Sequence, residues 1–360
     1  MKNRSLLFSI LFVPIISAIL TACGTKIEVC NLTVEQQDGS RALATNQPRF
    51  SWQYESQYEN VMQVNYRIVV ASTEQNAREG IGDLWDSEVI ESNQMLYIAY
   101  QGRELKSRDK AYWKVYTTVT YGEKEKKASL ESPVKSFEIS LLNQDDWQAK
   151  WIGHEFDEDV LYDKTRITAR YLRKTFNLNN DISKARLYIS GLGQYSAYIN
   201  GTEVAAEELL KPAISDYTKR VYFNAYDVTA LLDKGDNAIG ITLEGGRFTT
   251  IRYDSLYLEW CGIRHAMHYG MPQLLLQLEV TYNDGTSAMI CSDESWKITN
   301  KGPIRTANEF DGETYDANKE LGEWTKTGYD DSNWLPVELV EAPKGELVAQ
   351  PNPNIMVQDK

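Results

Sequence analysis

Cysteine and histidine are scarce in this chain, at four and three residues in 360. Four thiols cannot build the dense disulfide framework of a small secreted module, and none stands in a C-x-x-C pair that would hold zinc. His265 and His268 have i,i+3 spacing, which could set two imidazoles on one helical face. No third-ligand signature accompanies them, so they and His154 read as loop histidines, and no metal site or cofactor is expected. No G-x-S-x-G elbow, P-loop or H-E-x-x-H motif occurs. Positive charge is also in deficit. Lys and Arg number 38 against 51 Asp and Glu, and the resulting net charge of −13 repels polyphosphate and excludes nucleic acid as a partner. Amphipathic helical pattern is nearly missing; Val204–Leu210 is the one stretch that reads as a short helix.

There is one long apolar run, and it lies at the N-terminus. Lys2 and Arg4 precede Leu6 to Ile19, which is interrupted only by Ser9, Pro14 and Ser17 and is too short for a comfortable membrane span. Leu20-Thr21-Ala22-Cys23 follows and looks like a bacterial lipobox, with small residues for a signal peptidase and a thiol for diacylglyceryl attachment. Residues 1–22 are therefore expected to be a lipoprotein signal peptide, with Cys23 as the lipidation site. The expected location is the bacterial cell envelope, with a membrane partner through the lipid; the competing reading is an ordinary signal peptide with a chance cysteine. Of the remaining thiols, Cys261 and Cys291 could bridge, or they and Cys30 could be unpaired core thiols.

What the chain has in plenty is strand pattern. Hydrophobic content is 42% and aromatic content 11%, both globular values. Tyr66–Val70 and Tyr112–Val119 alternate roughly and are rich in β-branched and aromatic residues. Asp38-Gly39, Gly80-Ile81-Gly82, Gln101-Gly102 and Tyr121-Gly122 punctuate them. That rhythm predicts an immunoglobulin or fibronectin-like sandwich over residues 26–140, with Trp52, Trp85 and Trp113 as packing aromatics. Residues 141–152 read as a linker whose Trp147 and Trp151 dock two modules. A second β-sandwich is predicted over 153–342, with strands at Arg186–Ile189, Ala197–Ile199, Ala238–Leu243 and Leu274–Tyr282. Asn200-Gly201 and Asn283-Asp284-Gly285 are its hairpin turns. Asp330-Asp331-Ser332-Asn333-Trp334 is similar to a motif of galactose-binding-like jelly rolls, and 343–360 reads as a tail.

The densest chemistry lies in Asp311-Gly312-Glu313-Thr314-Tyr315-Asp316-Ala317-Asn318-Lys319-Glu320. Its carboxylates surround one aromatic ring, a combination suited to sugar hydroxyls and C–H faces. Asp311, Glu313, Tyr315 and Asp316 are the candidate sugar-contacting or domain-contacting residues. Two other readings stand beside this. Asp311 and Asp316 could cap local turns while Tyr315 packs inward, or the oxygens could ligate calcium, although the EF-hand register is lacking. The run resembles the Asp-Gly-Glu-x-Tyr-Asp-Ala-Arg signature of the bacterial α-L-rhamnosidases of glycoside hydrolase family 78. Pro48–Trp52, Tyr66–Ser72, Asp83–Ser87, Ala169–Phe176, Gly191–Tyr195, Tyr226–Thr229, Ser292–Lys297 and Gly302–Arg305 resemble further family segments in family order. Asn318 departs from the signature's arginine and loses its charge and bidentate fork. Leu243-Glu244-Gly245-Gly246 departs from the tryptophan usual in that turn.

The resemblance implies an all-β chain, the immunoglobulin-like sandwich followed by a galactose-binding-like jelly roll, with a rhamnose-containing carbohydrate as partner. It also implies that the paired catalytic carboxylates belong to a helical (α/α)6 barrel that follows these modules. No catalytic residue is transferred to this chain, which is expected to be inactive alone, its tail leading toward that barrel. The rival expectation is a free-standing carbohydrate-binding or scaffolding lipoprotein.

Overall fold

The computed structural model describes residues 27–39, 41–159, 167–249, 269–308 and 312–358, and is built almost wholly of strands. Cys23, Cys261, His265, His268 and Asp311 lie outside the described residues. Among the described residues the one α-helix is Glu74–Glu79. Thr73 caps it, accepting a bond from the Asn76 amide, and Gly80 ends it in the left-handed conformation. No described helix is long and apolar enough to cross a membrane.

The first sandwich sets a three-stranded sheet, Ile27–Val34, Arg49–Ser56 and Ile98–Ala99, against a larger one. That second sheet runs in the order Ala42–Leu43, Lys135–Ile139, Lys110–Tyr121, Met62–Ala71, Trp85–Asp86. Alternation turns Phe50, Trp52, Trp113, Val115 and Phe137 inward, where they are fully or almost fully buried. Phe50 packs on Trp113 with ring centres 4.7 Å apart, and on Trp85 at 6.0 Å. The buried Trp52 indole donates to Gln63 Oε1 (3.1 Å), whose amide group is held in turn by the Ser92 and Gln94 carbonyls. These tryptophans are core aromatics, as expected.

The second sandwich pairs two sheets of comparable length. One runs Glu338–Leu339, Ile152–Gly153, Gln273–Tyr282, Ile182–Leu192, Arg220–Asp227, Glu346–Ala349. The other runs Thr202–Glu203, Gln194–Ile199, Gly235–Glu244, Arg170–Leu178, Lys297–Thr299, Leu335–Pro336. Leu172, Leu187, Ile189, Ile239, Ile241, Leu276, Leu278 and Trp296 fill the space between. All four strands expected here are present. Asn200 and Gly201, at φ +51° and +88°, make the two-residue turn joining Ile199 to Thr202. The short helix expected at Val204–Leu210 does not form. Ala205 and Leu210 take positive φ, and Glu208–Leu209 is instead a strand, because Glu208 is drawn into a buried polar network. The stretch after 342 carries a strand too. Glu346–Ala349 joins the sheet edge parallel to Arg220–Phe223.

The linker docks the sandwiches. Trp147 packs edge-on against Phe223 (5.0 Å) and Tyr188 (6.2 Å) of the second unit. Arg108 of the first unit bridges Asp146 (2.9 Å) and Glu279 (2.7 Å). The buried Glu138 accepts from both Lys184 and Arg186.

Candidate functional site

The strand Gly235–Glu244 runs between Gln194–Ile199 and Arg170–Leu178, with Glu244 opposite Gln194. Gly193, at the corner before Gln194, has φ +125°, and a Cβ there would fall 1.9 Å from the Glu244 carbonyl oxygen. Only glycine permits that approach. After Glu244 the chain turns through Gly245 and Gly246, and the Thr249 amide closes the turn on the Gly245 carbonyl (3.0 Å). Phe248 and Tyr269 stack beside it at 5.9 Å, and Tyr217 meets both at 5.1 Å.

Over this turn lies a hairpin, Ile304–Asn308 paired with Gly312–Tyr315. Its base is anchored. The Ile304 amide donates to Tyr171 Oη (3.0 Å), Arg305 donates to the Asn300 and Gly302 carbonyls (2.7 and 2.9 Å), and the Asp316 amide donates to the Pro303 carbonyl (2.9 Å). Its other strand carries the signature residues to the surface. Glu313 pairs with Ala307 and is exposed; Tyr315 pairs with Ile304 and is half exposed at 51%. The Tyr315 hydroxyl donates to the Glu320 carboxylate.

Of the signature residues, Glu313, Tyr315 and Asp316 are brought to one hairpin and its exit. Asp316 behaves as the local reading expected. It caps the 3₁₀ turn Ala317–Lys319, accepting from the Asn318 amide (3.1 Å), and its carboxyl is held below its ordinary range first by the Asn318 side chain. The Asn318 side-chain amide also donates to that carboxylate (3.0 Å). Tyr315 does not pack inward.

Sequence reasoning missed Glu244. Burial, and then the charge of Glu313, pushes its carboxyl up to about 7. Its only sequence signal was the departure of the Glu-Gly-Gly turn from the usual tryptophan. The outcome is a partly buried carboxyl that is easily protonated, at Glu244, with the exposed Glu313 carboxyl and the exposed Tyr315 ring on the hairpin above it. Such a set can donate to and accept from sugar hydroxyls. The jelly-roll motif near 330 serves the fold instead. Asp331 holds the buried Arg173 and Lys297 (2.7 Å), and Trp334 packs on Trp324 (5.9 Å). Cys30 and Cys291 are free thiols raised above their ordinary range by burial, and no cluster of metal-ligating side chains occurs among the described residues.

Two domain families match the chain in order. A Rha78A-like N-terminal immunoglobulin domain matches residues 29–143, and the α-L-rhamnosidase N-terminal domain matches 180–359. The chain belongs to the α-L-rhamnosidase N-terminal domain family. An α-L-rhamnosidase of Formosa agariphila is 41% identical over 294 residues, 81% of this chain and 30% of its own length. One from an Alteromonas species is 36% identical over 304 residues, 84% of this chain and 32% of its own length. The solved α-L-rhamnosidase of Dictyoglumus thermophilum superposes with a TM-score of 0.76 at 33% identity, covering 89% of this chain and 35% of that one. The chain thus spans about a third of the relatives it matches, and the fold of this rhamnosidase N-terminal region agrees with that of the solved Dictyoglumus protein.

Proposed function

We propose that this chain is the non-catalytic β portion of an α-L-rhamnosidase-like glycoside hydrolase acting on rhamnose-containing glycans or glycosides, carried on the envelope by lipid at Cys23. The observation behind the rhamnosidase reading is the ordered match of both N-terminal families, shared with relatives named α-L-rhamnosidases of which it spans a third, while the lipid rests on the Leu20-Thr21-Ala22-Cys23 motif alone. Hydrolysis of a glycosidic bond needs two carboxyls flanking the scissile bond. The charge of the exposed Glu313 reaches the partly buried Glu244 and raises its proton affinity. Their role in this reading is to face the catalytic domain or the rim of its sugar pocket. The test is an assay of the purified chain on aryl α-L-rhamnosides, with turnover no higher than a buffer blank as the expected result. Turnover that vanishes on mutating one acidic residue of 24–360 would refute the reading.

The exposed ring of Tyr315, hydrogen-bonded to the Glu320 carboxylate, favours a second reading, a free-standing carbohydrate-binding lipoprotein. NMR titration with L-rhamnose separates the two. Binding at tens of micromolar or tighter by the chain alone supports the second reading, while the first predicts millimolar at best.

A further inference from the structure

Glu208–Leu209 and Ile355–Met356 form a two-stranded antiparallel ribbon, with Leu209 opposite Ile355 and Glu208 opposite Met356. One side of it is wired into the protein. The buried Glu208 carboxylate accepts from Arg41 (2.5 Å), the Tyr226 hydroxyl (2.9 Å) and the Asn354 amide group (2.6 Å). Asn354 in turn accepts from Gln350 (2.7 Å), and Gln350 accepts from Asn224 (3.1 Å) and the Ala213 amide (2.8 Å). Gln37 and Arg41, both of the first sandwich, also donate to the Pro351 and Asn352 carbonyls (3.2 Å each). The Glu208 carboxylate, with three donors, ties the ribbon to both sandwiches, so the ribbon is not a frayed end.

The other side is apolar and open. Leu209 is 46% exposed and Ile355 58%, and in antiparallel pairing such opposed side chains lie on the same face. Leu210 and Ile214, at 52% and 50% exposure, follow Leu209 in the chain. Single exposed apolar residues are ordinary, but several gathered at one anchored ribbon mark a contact surface.

We propose that this ribbon face seats the catalytic domain of an α-L-rhamnosidase, an inference that rests on the function proposed above. The occupant follows from position and length. The N-terminal family match runs to residue 359, three residues past the ribbon, and the curated relatives have about two-thirds of their length outside the matched part. A domain entered from Met356 through a few residues, each spanning at most about 3.5 Å, begins within reach of Leu209 and Ile355. Domain interfaces within a chain bury roughly 600–1,500 Å², with apolar anchors near their centre. The clasp beneath refers this seat to both sandwiches at once.

The test is hydrogen exchange on the full chain, alone and joined after Lys360 to the part of the Formosa protein C-terminal to its matched region. Amides of 207–214 and 353–358 should exchange at least tenfold more slowly in the chimera. L210D with I355D should abolish that protection while leaving the melting temperature of the chain alone within a few degrees. Unchanged exchange in a folded chimera that hydrolyses an aryl α-L-rhamnoside overturns the docking inference and leaves the proposed function standing. Protection in a folded but inactive chimera supports docking and counts against the function. Dimerisation of the chain alone in sedimentation, lost on the same double substitution, makes a second copy the occupant and overturns the proposal. Should the chimera not fold, the two substitutions go into the aligned positions of the intact Formosa protein, where a lower melting temperature is expected and an unchanged one overturns the inference.

Discussion

Glu244 shows how a single side chain can carry information that its neighbours in sequence hide. In the fold its carboxyl is raised to about 7 against an ordinary value of 4.5, mainly by burial and then by Glu313. The fold therefore favours the neutral form. Below about pH 4.5 the group is neutral whether folded or unfolded and costs nothing; between there and about pH 7 a penalty grows, and above it the penalty is complete. Glu244→Gln keeps the shape and removes the charge. It should stabilise the protein by about 1–3 kcal/mol near pH 8 and leave it unchanged near pH 4, as read from urea unfolding at both pH values. An equal gain at both would mean that charge is not the cause. Where the family signature has arginine, Asn318 makes one side-chain hydrogen bond to Asp316 near the surface.

Turns and caps decide the elements. Gly193 and Gly122 both have positive φ, but a side chain at Gly122 would meet open space, whereas one at Gly193 would meet the Glu244 carbonyl. Gly122→Ala should therefore cost about 1 kcal/mol for the left-handed backbone alone. Gly193→Ala adds a clash with backbone that cannot yield, and should cost at least about 2 kcal/mol more. Thermal unfolding of the two variants measures the difference, and similar losses would show that the corner relaxes. The Asn200-Gly201 turn was legible in sequence because those two residue types tolerate the required φ. The 205–210 segment was not, because its positive φ values fall on Ala205 and Leu210, which carry no such preference. Long-range hydrogen bonds to Arg41, Tyr226 and Asn354 override local propensity there.

For the whole molecule, the contact between the sandwiches combines the ion pairs of Arg108 and Glu138 with the aromatic packing of the linker's Trp147. Glu138 is buried and faces two cations of the second unit. Glu138→Gln leaves Lys184 and Arg186 without their counter-charge and should cost about 2–4 kcal/mol. It should also split a single calorimetric transition into two, since the sandwiches would then melt separately; one unsplit transition at unchanged temperature would show that Trp147 docking suffices. The lipidation proposed at Cys23 belongs to this scale as well. On that proposal Cys23→Ser should move the protein from the detergent phase to the aqueous phase, because it removes the thiol that would carry the acyl chains. Wild-type protein already in the aqueous phase would end the lipoprotein reading.

Period-two alternation, turn dipeptides and the ordered family segments were enough to determine an all-β chain of two sandwiches with a tryptophan-rich first core. Those signals are local, and each strand carries its own. The exposure of Glu313 and Tyr315 and the capping role of Asp316 were open in sequence, because one acidic loop can face solvent, a partner or its own backbone. Only the tertiary structure decided among these, by anchoring the hairpin base on Tyr171, Arg305 and Pro303. It also decided what local pattern does not encode: the proton affinity of Glu244, the strand at Glu346–Ala349 and the apolar ribbon at Leu209 and Ile355. Each depends on residues more than 60 positions apart in the chain being brought together, and on burial that makes their charges and hydrogen bonds count.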